Sequence, residues 1–150
     1  MYEYKVKILR VVDGDTVDVD IDLGFGMWMH KERIRLWGID TPESRTSDPI
    51  EKVFGNYAKQ YVKDQMPIGS IQTMRTQKDK EGKYGRILGE FIIEGKRLHE
   101  TMVDKHIGVL YNGQSKDEVR AEHLANRSYL LENGSVYRDD ITGLECTCNI

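Results

Sequence analysis

Residues 17–25 read VDVDIDLGF. Val17, Val19, Ile21, Leu23 and Phe25 fall on one side of an extended chain, and Asp18, Asp20 and Asp22 on the other. Alternation of this kind marks a half-buried β-strand, because successive side chains point to opposite faces. The three aspartates are its wet face, and no metal is assigned to them. Toward the N-terminus, KVKILRVV (5–12) reads as a second strand, and Asp13–Gly14 as a sharp reversal between the two. Toward the C-terminus, RIRLWGI (33–39) is a third strand. The intervening GFGMWMHKE (24–32) reads as a long loop whose Phe25, Met27 and Trp28 pack on the core, the commonest fate of large apolar side chains.

Farther along, FGNYAKQYVKDQM has helical spacing from Phe54 to Met66, with Pro67 and Gly69 as its stop. SIQTMRTQ (70–77) and GRILGEFII (85–93) read as two strands around the charged turn KDKEGKY. A short helix is predicted over Leu98–Lys105. A longer one is predicted over Lys116–Glu132, on the stripe Val119, His123, Leu124, Arg127 and Leu131, and ended by Asn133–Gly134. The fold class expected is α+β, mainly β: a five-stranded OB-fold barrel with about three helices packed on it. Residues 1–134 form one domain in this reading, and 135–150 a C-terminal tail.

No apolar run approaches the ~20 residues of a membrane span, so no membrane partner is expected. Hydrophobic residues make up 39% of the chain and charged residues 31%, the make-up of a well-solvated globule. The net charge of −3 excludes a protein that grips phosphate by bulk electrostatics. Contact with nucleic acid must rest on a local basic patch or a bound cation. The start MYEYKVKILRVVDGDT has no basic stretch followed by an apolar one, so an intracellular location is expected. Cys146 and Cys148 are too few for a four-ligand metal cage, and no disulfide-linked partner is expected. The chain is expected to be a monomer. His30, His99, His106 and His123 are scattered, and each reads as a surface or helix-face residue.

Four stretches carry chemistry: VVDGDTV with Asp13 and Asp15; RIRLWGIDTPE with Arg35, Asp40, Thr41 and Glu43; DKEGKYGR with Lys83, Tyr84 and Arg86; and LYNG with Tyr111. A hard divalent cation takes carboxylate, carbonyl and water oxygens, and Asp15 and Asp40 are short carboxylates at strand ends or turns. An attacking water needs a base or an orienting acceptor, and Glu43 follows a Thr-Pro turn. Charge gathering on a phosphoryl group is met by arginine forks, which Arg35 and Arg86 offer. Tyr84 and Tyr111 offer flat faces for a nucleotide base. Taken singly, each stretch has a plainer reading as a turn, a helix entry, a charged hairpin tip or a half-buried tyrosine. The combination is what points to phosphodiester chemistry.

That combination resembles the staphylococcal nuclease (thermonuclease) family, from about Lys5 to about Leu131, in the strings DGDTV, RLWGIDTPE and KYGR. The resemblance implies an OB barrel carrying helices. It implies a Ca2+-dependent nuclease that cleaves DNA, RNA or both by in-line hydrolysis and leaves 3′-phosphate ends. Asp15 and Asp40 would bind calcium through carboxylates and Thr41 through its carbonyl, with Asp13 holding a metal-bound water just outside. Glu43 would be the general base or the positioner of the attacking water. Arg35 and Arg86 would clamp the scissile phosphate, Lys83 and Tyr84 the neighbouring one, and Tyr111 would pack on the nucleotide. Asn112–Gly113 stand where the family often shows a second tyrosine. The alternative is a catalytically silent module that binds nucleic acid or protein.

Overall fold

The computed structural model describes residues 2–76 and 87–136. Its first three strands, β1 (Glu3–Asp13), β2 (Thr16–Gly24) and β3 (Met27–Leu36), form an antiparallel meander. Strand β4 (Ile39–Asp40) is a short piece before helix α1 (Pro49–Gln65). Then come β5 (Ile71–Thr76), β6 (Ile87–Ile93), the short β7 (Lys96–Arg97), helix α2 (Leu98–Asp104), the short β8 (Val109–Leu110) and helix α3 (Lys116–Glu132).

Five long strands close into a barrel. β1 pairs with β5 and β5 with β6, both antiparallel. The circle closes where β6 meets β3 in parallel, with Ile34 opposite Ile87, Arg35 opposite Leu88 and Leu36 opposite Gly89. Neighbour order 1-2-3-5-4-1 among the long strands, with one parallel seam, is the OB-fold arrangement read from the sequence. The interior is filled by Val6, Ile8, Val17, Val19, Ile21, Ile34, Leu36, Met74 and Phe91. Ala58, Val62 and Met66 seal it from the α1 side, and Leu98 and Met102 from the α2 side. A second, smaller cluster joins Phe54 to Leu130 and Val136, so packing runs two residues past Gly134.

Several local expectations change. The predicted loop 24–32 is a tight hairpin: Gly24 pairs with Met27 across Phe25–Gly26, both at positive φ, as a two-residue type I′ turn requires. One extra residue between Glu32 and Met29 makes a bulge, with Lys31 at φ 57° and its amide donating to the Asp20 carboxylate at 2.9 Å. That bulge breaks the alternation that would have revealed the strand. Phe25 is fully exposed, and Met27 and Trp28 are also exposed, so none of the three packs on the core. The hairpin runs past the barrel, where no inner face exists to receive them. Helix α1 starts five residues earlier than Phe54. Asp48 caps it by accepting from the amides of Ile50 (3.0 Å) and Glu51 (3.3 Å), with Pro49 in the first turn. The expected stripe on α3 is weak, since Leu124 is exposed and Leu130 is the helix's buried residue. The aspartates of β2 do face solvent, where Asp18 pairs with Arg33 at 2.9 Å.

His99 is not a surface residue. It sits in the first turn of α2 on the buried side of that helix, 2% exposed, edge-on to Trp37 at 5.7 Å between ring centres and near the buried Glu90. Burial pushes its pKa down, against the pull of Glu90 and Glu100. A depressed histidine pKa means that the unfolded chain takes up the proton first. The stability from neutral His99 is therefore full above the ordinary histidine value of ~6.5 and is lost as pH falls toward the folded pKa. Thermal midpoints measured across that acid range should fall more steeply for the parent than for His99→Gln. Parallel curves would show that His99 takes its proton in the fold as readily as in the open chain.

Candidate active site

The site grows from the reversal between β1 and β2. Asp13 pairs with Thr16 across it, and Gly14 lies so close to its surroundings that a Cβ there would stand 2.7 Å from the Ala58 Cβ and 2.9 Å from the Thr41 Oγ1. Glycine is needed for this approach. It presses Asp15 against residue 41, whose amide donates to Asp15 Oδ2 at 3.2 Å, while the Thr16 hydroxyl donates to Oδ1 at 3.1 Å.

Arg35 comes from β3, directly opposite Thr16. Its Nη1 donates to the Leu36 carbonyl at 2.8 Å and lies 3.5 Å from Asp15 Oδ2; its Nη2 lies 3.7 Å from Asp40 Oδ1. One guanidinium thus stands between an acid of the β1–β2 turn and an acid at the end of β4. Desolvation pushes the Asp15 pKa up, outweighing the pull of Arg35 and the Thr41 amide, and nearby Asp40 adds to the rise. Asp40 ends β4, which is held by β8, with Asp40 opposite Val109.

Asp13 and Glu43 are set by the turn after β4. The amide of Ser44 donates to Asp13 Oδ1 at 3.1 Å, and its hydroxyl binds the same oxygen. Asp13 is therefore the peg that holds the 41–44 turn. From the other side, α1 lies directly on that turn: a Cβ at Gly55 would stand 2.2 Å from the Glu43 carbonyl oxygen. The Glu43 side chain is exposed to the cleft. Its pKa is raised, first by partial desolvation and then by the charges of Glu51, Asp13, Asp15 and Asp40.

Arg35, Asp40, Glu43, Tyr111, Arg120 and His123 line a cleft of about 710 Å³. Across Arg35 lies a more apolar cavity of about 610 Å³, walled by Leu36, Trp37, Leu88, Leu110 and Tyr111. Tyr111 stands at the border of both, its amide bonded to the Gly38 carbonyl at 2.8 Å. Arg35, Asp13, Asp15, Asp40, Thr41, Glu43 and Tyr111 are thus brought to one region. Lys83, Tyr84 and Arg86 lie outside the described residues, as do Cys146 and Cys148. The chain enters β6 at Ile87, which pairs with Ile34, the residue before Arg35.

The donor chemistry fits a hard cation held by few protein ligands. Asp15 and Asp40 offer carboxylate oxygens that one arginine does not neutralise, and the Thr41 Oγ1 is buried with no partner. Among the described residues no group of three or more His, Cys, Asp or Glu forms a ready cage. Such a cation would keep several waters, as hard divalent ions with few carboxylate ligands do.

A family model described as staphylococcal nuclease homologue matches residues 33–129, well over half of the chain. The chain belongs to the staphylococcal nuclease family. The span takes in Arg35, Asp40, Thr41, Glu43 and Tyr111. Among relatives of the staphylococcal nuclease type, the chain is 26% identical to the endonuclease YncB of Bacillus subtilis (strain 168) over 82% of its own length and 58% of that protein's. It is 30% identical to the thermonuclease of Staphylococcus hyicus, covering 69% of this chain and 56% of the relative. With the thermonuclease of Staphylococcus intermedius the identity is 37%, over 57% of this chain and 45% of the relative. The chain therefore spans about half of the length of these relatives.

Sequence reasoning missed three contributors to this site of a staphylococcal nuclease family member. Ser44 and Gly55 fix the Glu43 turn, and neither belongs to a motif. His123, expected on an open helix face, lies 2.7 Å from Asp40 Oδ2 through its Nε2. The only sequence signal for it was its place on a helical stripe with Arg127, which says nothing of what the stripe faces.

Proposed function

We propose that this protein is a divalent-cation-dependent nuclease that hydrolyses the phosphodiester backbone of DNA, RNA or both. The observation that carries the reading is the meeting of Arg35, Asp40 and Glu43 on one cleft, with Asp15 held against Arg35 from behind. Four charged groups brought together from three segments are costly unless they meet a charged ligand. The names of the relatives, endonuclease and thermonuclease, point the same way.

Arg35 binds the scissile phosphate, its fork already aimed by the Leu36 carbonyl, and stabilises the charge gained in the transition state. Glu43 accepts a proton from the attacking water and orients it in line with the leaving oxygen. Its raised pKa brings it closer to neutrality, which suits a base working near pH 7. Asp15, Asp40 and the Thr41 carbonyl would hold calcium, and Asp13 would hold one of its waters. When bound, the cation polarises the phosphoryl oxygen and neutralises part of its charge. Arg86 is the second phosphate clamp in this proposal, with Lys83 and Tyr84 on the adjoining phosphate. Tyr111 packs on the nucleotide beside the apolar cavity. Cleavage of the bond to the 5′ oxygen leaves 3′-phosphate ends.

The test is digestion of single-stranded DNA, duplex DNA and RNA, with calcium and with a chelator. Cleavage that needs the cation and yields 3′-phosphate ends is the expected result. Absence of cleavage with every divalent cation, beside retained nucleic-acid binding, would replace the nuclease by a silent binding module.

A further inference from the structure

Helix α3 forms one wall of the cleft, and it carries basic side chains in a row. Lys116, Arg120, His123 and Arg127 are spaced four, three and four residues apart, so they share one face, and all four line the cleft. Between Lys116 and Arg127 that face runs about 16 Å, at ~1.5 Å per residue. Its position is set by the packing of Leu130 on Phe54 and by two polar contacts. His123 meets Asp40 at 2.7 Å, and Asn126 donates to the Gly108 carbonyl at 3.3 Å. The row is thereby registered against the catalytic acids and is not free to swing away.

None of Lys116, Arg120 and Arg127 forms an ion pair among the described residues. Arg127 lies over the Phe54 ring at 5.4 Å, and its Nε is buried with no hydrogen-bond partner. Acids do line the same cleft, and each has an evident role or direction. Asp48 caps α1, Asp117 sits in the first turn of α3 where the helix dipole favours it, and Glu51 stands across the cleft beside Glu43. A stretch of unpaired guanidinium and ammonium groups facing a concave surface is suited to a chain of phosphates. The protein as a whole carries −3, so the attraction has to be local.

We propose that the cleft face of α3, through Lys116, Arg120 and Arg127, is a track for the phosphates of a single-stranded polynucleotide beyond the one being cleaved. The substrate is then a strand of several nucleotides and not a dinucleotide, and the row supplies affinity and register without touching the reacting atoms. This rests on reading the cleft as a nucleic-acid site, but it concerns binding and not hydrolysis.

Binding can be measured without turnover in a Glu43→Gln protein, using fluorescein-labelled single strands of two and of about twelve nucleotides, the latter within the range that OB barrels cover. The longer strand should bind more tightly, with an affinity that falls as salt rises. Adding Lys116→Gln and Arg120→Gln, both at exposed positions, should weaken the longer strand roughly tenfold and lower the salt slope by about 1.4, at ~0.7 per lost phosphate contact. The advantage of the longer strand over the shorter should shrink accordingly. A comparison protein with Lys5→Gln and Lys7→Gln removes the same charge from the outer face of β1. Equal weakening there, an unchanged salt slope in the α3 variant, or no gain with strand length would each overturn the track. If the parent cleaves nothing yet the track binds as described, the proposed hydrolysis fails and the track stands. If the parent cleaves while the α3 variant binds like its background, the track alone fails.

Discussion

Exchanging Glu43 for glutamine is expected to lower polynucleotide turnover by about two to four powers of ten, the range over which a positioned general base acts. The change keeps the side chain's size and its place on the 41–44 turn, because that turn is held by its backbone: Ser44 bonded to Asp13, and Gly55 packed on the Glu43 carbonyl. What disappears is the proton acceptor. One negative charge also leaves a neighbourhood that already holds Glu51, Asp13, Asp15 and Asp40. Affinity for an oligonucleotide should therefore hold or improve, and the thermal midpoint without a divalent cation should not drop. Rate and affinity then move independently, which is the mark of a group acting in the transition state and not in the bound complex. A glutamine variant that digests DNA at the parent's rate would remove Glu43 from the mechanism, and Asp13 or a cation-held water would have to replace it.

Gly55→Ala should damage both stability and turnover, although the residue touches no substrate. Alanine in a helix interior is ordinarily better than glycine by about 1 kcal/mol. Here its Cβ would fall 2.2 Å from the Glu43 carbonyl oxygen, 2.3 Å from the carbonyl carbon and 2.6 Å from the Ser44 amide nitrogen. All three are backbone atoms, so no rotamer relieves the clash, and α1 or the turn must move. Overpacking costs about 1–3 kcal/mol, occasionally more, and three backbone clashes put this case in the upper part of that range, above the helix gain. A net loss of one to two kcal/mol corresponds to a fall in Tm of roughly 2–8 °C for a chain of this size. Displacement of Glu43 by a fraction of an ångström to an ångström would cost turnover up to about a hundred-fold. Tm and turnover measured on the same preparation check both. A Gly55→Ala protein that is more stable and fully active would mean that the 41–44 turn is set from the barrel side, by Asp13 and Ser44, with α1 merely resting on it.

The sequence by itself determined the barrel and singled out the candidate residues that the structure gathers in one region. Alternation over residues 17–23 identified β2 because that strand lines a core on one side and water on the other, a local condition that period-two spacing records directly. From Phe54 onward α1 was legible for the same reason, and the bounds of α3 at Lys116 and Glu132 were read as well, though not the face that helix buries. Asp15, Arg35, Asp40 and Glu43 stood out because four stretches together carry a chemistry that none carries alone, and the structure places Arg35, Asp40 and Glu43 on one cleft with Asp15 against Arg35.

Tertiary structure decided what depends on residues distant in sequence. The hairpin at 24–32 was hidden because a bulge breaks its alternation and because it projects beyond the core, so its apolar side chains record no inner face. The start of α1 at Pro49 was missed because its signal is a capping carboxylate and a proline, and the apolar spacing begins only at Phe54. His99 and His123 look alike in the sequence, yet one is buried on the inner side of α2 with a depressed pKa and the other meets Asp40 across 83 positions. Gly55 is an unremarkable helix glycine until the 41–44 turn is laid against it. In each case the deciding term is close packing or charge between separate segments, which acts through distance in space and leaves no period along the chain.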